Sequence, residues 1–145
     1  MKSEEVRGLI EGRFPGIGIR VPRERRIMVY ISPERLMEVL GFLHDRGVTH
    51  VSTISVVDRI EENLFEILYH LSWENNEISV RVEIPRENPV IPTVSPILPG
   101  ALTYEREIQD LFGIRVRDIS DPRRIILTDD WPAGVYPLRK DYVVQ

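Results

Sequence analysis

The sequence predicts an α+β fold: a two-layer sandwich of a mixed, mainly antiparallel sheet with helices, followed by a long extended C-terminal tail. Three observations predict it. Leu36, Val39, Leu40 and Leu43 recur at i, i+3, i+4 and i+7, the spacing of a helix that buries one face. Ile78, Val80, Val82 and Ile84 alternate with Glu77, Ser79, Arg81 and Glu83, the period of a strand with one wet side. The elements come in the order helix, two strands, helix, three strands, which suits two packed layers.

Taken in order, residues 3–14 read as a short helix, with Ser3 as its cap and Val6, Leu9 and Ile10 as its apolar stripe. Strands follow at Ile17 to Val21 and Ile27 to Ile31, joined by an exposed charged loop, Pro22-Arg23-Glu24-Arg25-Arg26. Ser32 as N-cap, Pro33 at the first helical position and Gly47 at the end frame the main helix. A meander comes next, His50 to Val57, Leu64 to Trp73 and Glu77 to Ile84. The second strand, this helix and the third strand can form a crossover, which makes the sheet mixed. Prolines at 85, 89, 92, 96 and 99 make residues 85–100 an extended connector. A last helix spans Leu102 to Phe112 and stops at Gly113.

Composition limits the function. At 145 residues the chain suits one domain with a real core. Cysteine is absent, which excludes disulfides, thiolate nucleophiles and cysteine-ligated iron–sulfur clusters from this chain. In a redox system the electrons must therefore pass through another chain. A net charge of −4 argues against a phosphate-binding surface. No apolar run approaches the roughly 20 residues that span a bilayer, and the first residues are not a secretory signal. The basic residues are 17 Arg and only 2 Lys.

Residues 114–145 carry neither helical nor strand periodicity, yet hold Ile125, Ile126, Leu127, Trp131, Tyr136, Leu138 and Tyr142. Such a composition fits disorder poorly, and long patternless segments in compact proteins are usually functional. An arm anchored on a partner by Trp, Tyr and Arg accounts for both facts; packing on its own domain is the alternative. The chain thus divides into a 1–113 domain and a 114–145 partner-binding tail. Charge is segregated too: residues 61–112 hold ten acidic and three basic residues, and 113–145 hold six basic and five acidic. Opposed patches of this kind steer association.

Candidate chemistry is sparse. Glu107 and Asp110 lie three apart on the last helix, poorly placed to flank a substrate as glycosidase carboxylates do. A hydrolase built on them is the runner-up function. Arg106 and Asp110 are spaced for an ion pair. His44, His50 and His70 share no metal-ligand spacing, so neither metal nor catalytic residues are assigned. An RNA-binding module using Arg23, Arg25 and Arg26 runs against the acidic middle of the chain.

The block from Tyr104 to Ile114, Tyr-Glu-Arg-Glu-Ile-Gln-Asp-Leu-Phe-Gly-Ile, is followed by Arg123-Arg124-Ile125-Ile126-Leu127, then Asp129-Asp130-Trp131, then Pro137-Leu138-Arg139-Lys140-Asp141-Tyr142. In this order the blocks resemble the 30-kDa subunit family of complex I, the respiratory NADH dehydrogenase, which includes subunits of membrane-bound hydrogenases and archaeal oxidoreductases. Two departures stand out. Ser120-Asp121-Pro122 leads directly into Arg123 where the family often has a His-Pro element, and no large subunit is expected to be fused after Tyr142. The resemblance implies a non-catalytic, cofactor-free subunit of an energy-conserving complex, peripheral on the cytoplasmic side of the membrane. Its implied partners are a large hydrogenase-like catalytic subunit and an iron–sulfur small subunit. Iron–sulfur clusters and a nickel–iron or quinone site are expected in those partners. Carried over as motif residues are Glu105, Arg106, Glu107, Asp110 and Gly113 on the helix, and Arg123, Arg124, Asp130, Trp131, Pro137, Leu138, Arg139, Lys140 and Asp141 in the tail; Tyr136 and Tyr142 join them as aromatic anchors. Arginine forks bind carboxylates bidentately, so Glu107 and Asp110 are expected to orient Arg123, Arg124 or Arg139, with Trp131 and Tyr136 filling partner pockets.

Overall fold

The structure, a computed structural model, describes residues 2–144. Its order is α1 (Ser3–Arg13), β1 (Gly18–Arg23), β2 (Arg26–Ile31), α2 (Leu36–Asp45), β3 (His50–Arg59), β4 (Leu64–Trp73), β5 (Asn76–Pro85), β6 (Val90–Pro92), α3 (Leu102–Phe112) and β7 (Arg115–Arg117). Five strands make one sheet in the order β1-β2-β5-β4-β3. Neighbouring strands pair antiparallel, except β2 with β5, which run parallel in the register Ile27↔Ile78 and Val29↔Val80. The sheet is therefore mixed and mainly antiparallel, with helices on one face. The crossover through α2 carries the chain from β2 past β5 and β4 to the edge strand β3.

The alternation read from β5 holds: Ile78, Val80, Val82 and Ile84 are buried with Phe65, Ile67, Tyr69 and Leu71 of β4. Leu36, Val39, Leu40 and Leu43 of α2 close over this face, and Phe14, just after α1, meets Phe42 edge-on at 5.4 Å. Gly47, at φ +100°, ends α2 in a Schellman turn, with Gly47 N–H donating to His44 and Val48 N–H to Leu43.

Several local expectations need correction. Ser3 does not cap α1; its Oγ accepts the Arg25 N–H at 2.5 Å and bonds Glu24, tying α1 to the β1–β2 turn. Ser32 makes no side-chain cap either, because Pro33–Arg35 form a 3₁₀ turn ahead of α2. The charged connection is a tight turn rather than a loop: Arg23 pairs with Arg26, leaving Glu24 and Arg25 as the two turn residues, with Arg25 at a positive φ of 68°. Pro22 is accommodated because β1 is an edge strand with a register shift between Arg20 and Arg23. Inside the connector, Val90–Pro92 forms a parallel pair with Arg115–Arg117, two residues beyond Gly113. Gln109 Oε1 accepts the Val116 N–H at 3.0 Å. Past β7, the described residues contain no further helix or strand.

Candidate partner-docking site

Helix α3 organises the motif residues. Its buried side carries Ile108, and the buried Glu105 accepts Thr93 Oγ1 at 2.7 Å and the Val94 N–H at 2.8 Å, holding the connector against the helix. Burial raises the Glu105 carboxyl above its ordinary range, and the two donors pull it back in part. The fully buried Tyr69 phenol, held above its ordinary range by burial and by Glu105, has no hydrogen-bond partner among the described residues.

Asp110 makes the first grip on the tail. Its Oδ2 accepts the N–H groups of Ile125, Ile126 and Leu127 at 2.8, 2.9 and 3.3 Å. Three consecutive amides aimed at one carboxylate turn the backbone inward and leave neighbouring side chains facing out: Ile125 is 37% and Ile126 53% exposed. Arg106 reinforces the grip by donating to the carbonyls of Arg123 and Arg124 at 2.9 and 3.1 Å while pairing with Asp121 at 3.4 Å. Arg123 also pairs with Asp121, and these arginines hold the Asp121 carboxyl well below the usual range. Arg124 donates to the carbonyls of Thr128 and Trp131, closing the loop that follows.

A second grip uses the open end of α3. The last carbonyls of a helix lack partners within it. Here the Leu138 N–H donates to Leu111 at 3.0 Å and Arg139 Nε to Phe112 at 2.6 Å. The Arg139 guanidinium also lies 5.3 Å from the Phe65 ring and 4.7 Å from the Tyr136 ring. Gly113, at φ +71°, lets the Tyr136 ring lie against its backbone; a Cβ there would collide with Cδ2, Cε2 and Cζ of the ring. At the end of β3, the buried Asp58 binds Arg86 through both oxygens, at 2.9 and 3.2 Å, and accepts the Lys140 N–H at 2.8 Å. Arg86 reaches on to Asp141 at 2.8 Å. Burial pushes the Asp58 carboxyl up, but Arg86 and the Lys140 amide bring it below the usual range.

The structure thus brings Arg106, Asp110 and Gly113 together with Arg123, Arg124, Tyr136, Leu138, Arg139, Lys140 and Asp141. The pairing expected between them is corrected. No Arg106–Asp110 ion pair forms, Asp110 takes amides rather than an arginine, and Glu107 takes no arginine among the described residues. Amides win because three neutral donors wrapped on one carboxylate replace its hydration without burying a second charge. Tyr136 packs on its own chain rather than projecting from it. Trp131 donates Nε1–H to Val135 and lies 6.4 Å from Tyr142, while Asp130 accepts Thr128 Oγ1. Sequence reasoning misses Asp58, Phe65, Arg86, Thr93 and Asp121. Asp58 and Arg86 lie 82 and 55 residues from their tail partners, and nothing local marks them.

Of the eight exposed large apolar residues among the described ones, five lie on the tail: Ile125, Ile126, Leu138, Val143 and Val144. Two more, Val57 and Ile60, line a hollow with Lys140. Among the described residues no group of His, Asp and Glu could hold a metal ion, and no helix is long and apolar enough to cross a membrane.

The family model described as "Respiratory-chain NADH dehydrogenase, 30 Kd subunit" matches residues 29–145. The chain belongs to this family. Relatives carry it into several complexes. The membrane-bound hydrogenase subunit beta of Pyrococcus furiosus is 30% identical over 97% of the chain and 86% of its own length. Formate hydrogenlyase subunit 5 of Escherichia coli is 34% identical over 88% of the chain, which spans only 24% of that protein. Among solved structures, a chain of the membrane-bound sulfane sulfur reductase, an archaeal respiratory membrane complex, matches with a TM-score of 0.88 at 29% identity, over 97% of this chain and 85% of that one. The match to the 30-kDa family begins inside β2 and runs through both grips on the tail.

Proposed function

We propose that this 30-kDa-family chain is a non-catalytic docking subunit of a membrane-bound, energy-conserving oxidoreductase of the complex I or hydrogenase type. Its tail seats on the large hydrogenase-like subunit, beside an iron–sulfur small subunit, on the cytoplasmic side of the membrane. Iron–sulfur clusters and the nickel–iron or quinone site belong to those partners. One observation carries this reading: the tail's backbone is tied to its own domain while five of its large apolar side chains face outward. Apolar surface gathered on one segment is what a partner covers. The hydrolase reading has no such support, because Asp110 is engaged by three amides.

The test is Ile126→Asp and Leu138→Asp in the complex-forming strain. Both side chains are more than half exposed, so the isolated chain should keep its stability. Co-purification with the large subunit should be lost. Unchanged assembly of both variants would remove the proposal.

A further inference from the structure

The basic side chains of the tail motif divide into those used within the chain and one that is not. Arg123 pairs with Asp121, Arg124 closes its loop through carbonyls, and Arg139 caps α3 and stacks on two rings. Lys140 differs. Its backbone N–H is held by the buried Asp58, but its exposed ammonium has no partner among the described residues. It lines a hollow with Val57 and Ile60, which are 40% and 37% exposed. The other charges of that hollow are Arg59, Glu61 and Glu62, and Arg59 is occupied by Glu62 and the buried Glu66.

The residue type adds a second observation. This chain uses arginine for nearly every cation, 17 times against 2 for lysine, yet has lysine here. Guanidinium suits flat, forked or stacked contacts, as at Arg86 and Arg139, whereas ammonium is a compact point charge on a flexible stem. A position whose backbone is held by a buried carboxylate, whose stem lies beside exposed valine and isoleucine and whose charge is free is a preset half of an ion pair. Once a partner covers Val57 and Ile60, an unpaired ammonium there would be costly; Glu62 is held by Arg59 and Glu61 makes no ion pair with Lys140, so a carboxylate on the covering surface would relieve that cost.

We infer that Lys140 receives a carboxylate of the large catalytic subunit, set within an otherwise apolar contact on Val57 and Ile60. This rests on the docking reading above and names the chemistry that the partner must present.

The scarcity of lysine makes the test clean. A carbodiimide joins an amine to a carboxylate only when the two are in direct contact, and only Lys2 and Lys140 offer side-chain amines. The complex purified through the large subunit is treated with carbodiimide, digested and sequenced. The expected product joins Lys140 to an Asp or Glu of the large subunit. Lys140→Arg should abolish that product in whatever complex is recovered, since guanidinium is not coupled. Lys140→Glu should weaken assembly about tenfold or more, with raised salt partly relieving the loss. A complex that assembles but couples Lys140 only to Glu61 of its own chain, or not at all, overturns the inference and leaves the docking function standing. Failure to recover any large subunit with the wild-type chain overturns both.

Discussion

Replacing Gly113 with alanine tests the α3–tail junction most directly. Gly113 sits at φ +71°, and an added Cβ would lie within 2.6 Å of three atoms of the Tyr136 ring. Holding an L-residue in the left-handed region costs about 1–2 kcal/mol. Forcing extra volume against a packed ring adds about 1–3 kcal/mol, for a total of about 2–5 kcal/mol. Gly134 is the internal control: its φ is +79°, but nothing lies within 4 Å of its Cβ position, so alanine there carries only the backbone cost. In a chain of this size each kcal/mol moves Tm by about 2–4 °C, so Gly113→Ala should lower it by about 4–20 °C and Gly134→Ala by about 2–8 °C. The ring can also swing aside and take the tail with it. Trypsin reports that outcome, as cleavage after Arg139 and Lys140 should quicken before the main transition in Gly113→Ala alone. In a Tyr136→Ala background the Gly113→Ala cost should shrink to that of Gly134→Ala. Equal losses for the two glycine variants, with equal trypsin rates, would show that the ring contact contributes nothing.

Two further perturbations separate the first grip from the sheet. Asp110→Ala leaves three tail amides without their acceptor and should cost about 2–3 kcal/mol, seen in urea unfolding and as faster hydrogen exchange at residues 125–127 than elsewhere. His70 sets a pH dependence: its ring lies 2.7–2.9 Å from the Ser79 and Ser55 hydroxyls and 3.2 Å from Glu77, and burial lowers its pKa despite Glu77, with Arg26 adding to the lowering. A depressed histidine binds fewer protons folded than unfolded, so its contribution is full above the unfolded value of about 6.5 and is lost as pH falls toward the folded value. His70→Gln should flatten the stability profile between about pH 7 and 5, and an unchanged slope counts against this account.

Most of the sheet was legible because its signals are local. The period-two run from Ile78 to Ile84 and the period-3.6 stripe from Leu36 to Leu43 each report burial within a dozen residues. The parallel pairing of β2 with β5 was not legible, since both strands are apolar enough to sit anywhere in the sheet's middle. The short β6 and β7 escaped for a different reason. Three residues are too few to show a period, and Pro92 argues against a strand until one sees it at the end of the pair. At the candidate site, the motif residues were visible by type and their geometry was not. Asp110 reads equally well as an arginine partner or an amide acceptor, and only the path of residues 123–127 decides between them. The buried Asp58–Arg86 pair had no signature, because a carboxylate at a strand end and an arginine after a proline are ordinary surface residues until the tail returns to them.

That return changes the physical basis of docking. The sequence suggests that a partner keeps the tail ordered, as though order and binding were one event. In the structure the two are divided between backbone and side chains: amides 125–127 and 138 and the Lys140 N–H point into the domain, whereas Ile125, Ile126, Leu138, Val143 and Val144 point out. The division matters because ordering a free chain costs about 1–2 kcal/mol per residue, and a segment that folds on binding surrenders about 2–5 kcal/mol of its contact energy. Grips within the chain bear that cost during folding, so the proposed contact with a partner would start from a preformed surface. The carboxylates Asp58 and Asp110 therefore support the same surface without being part of it. Substituting either should weaken association through mobility of the tail, whereas Ile126 and Leu138 act through the contact itself.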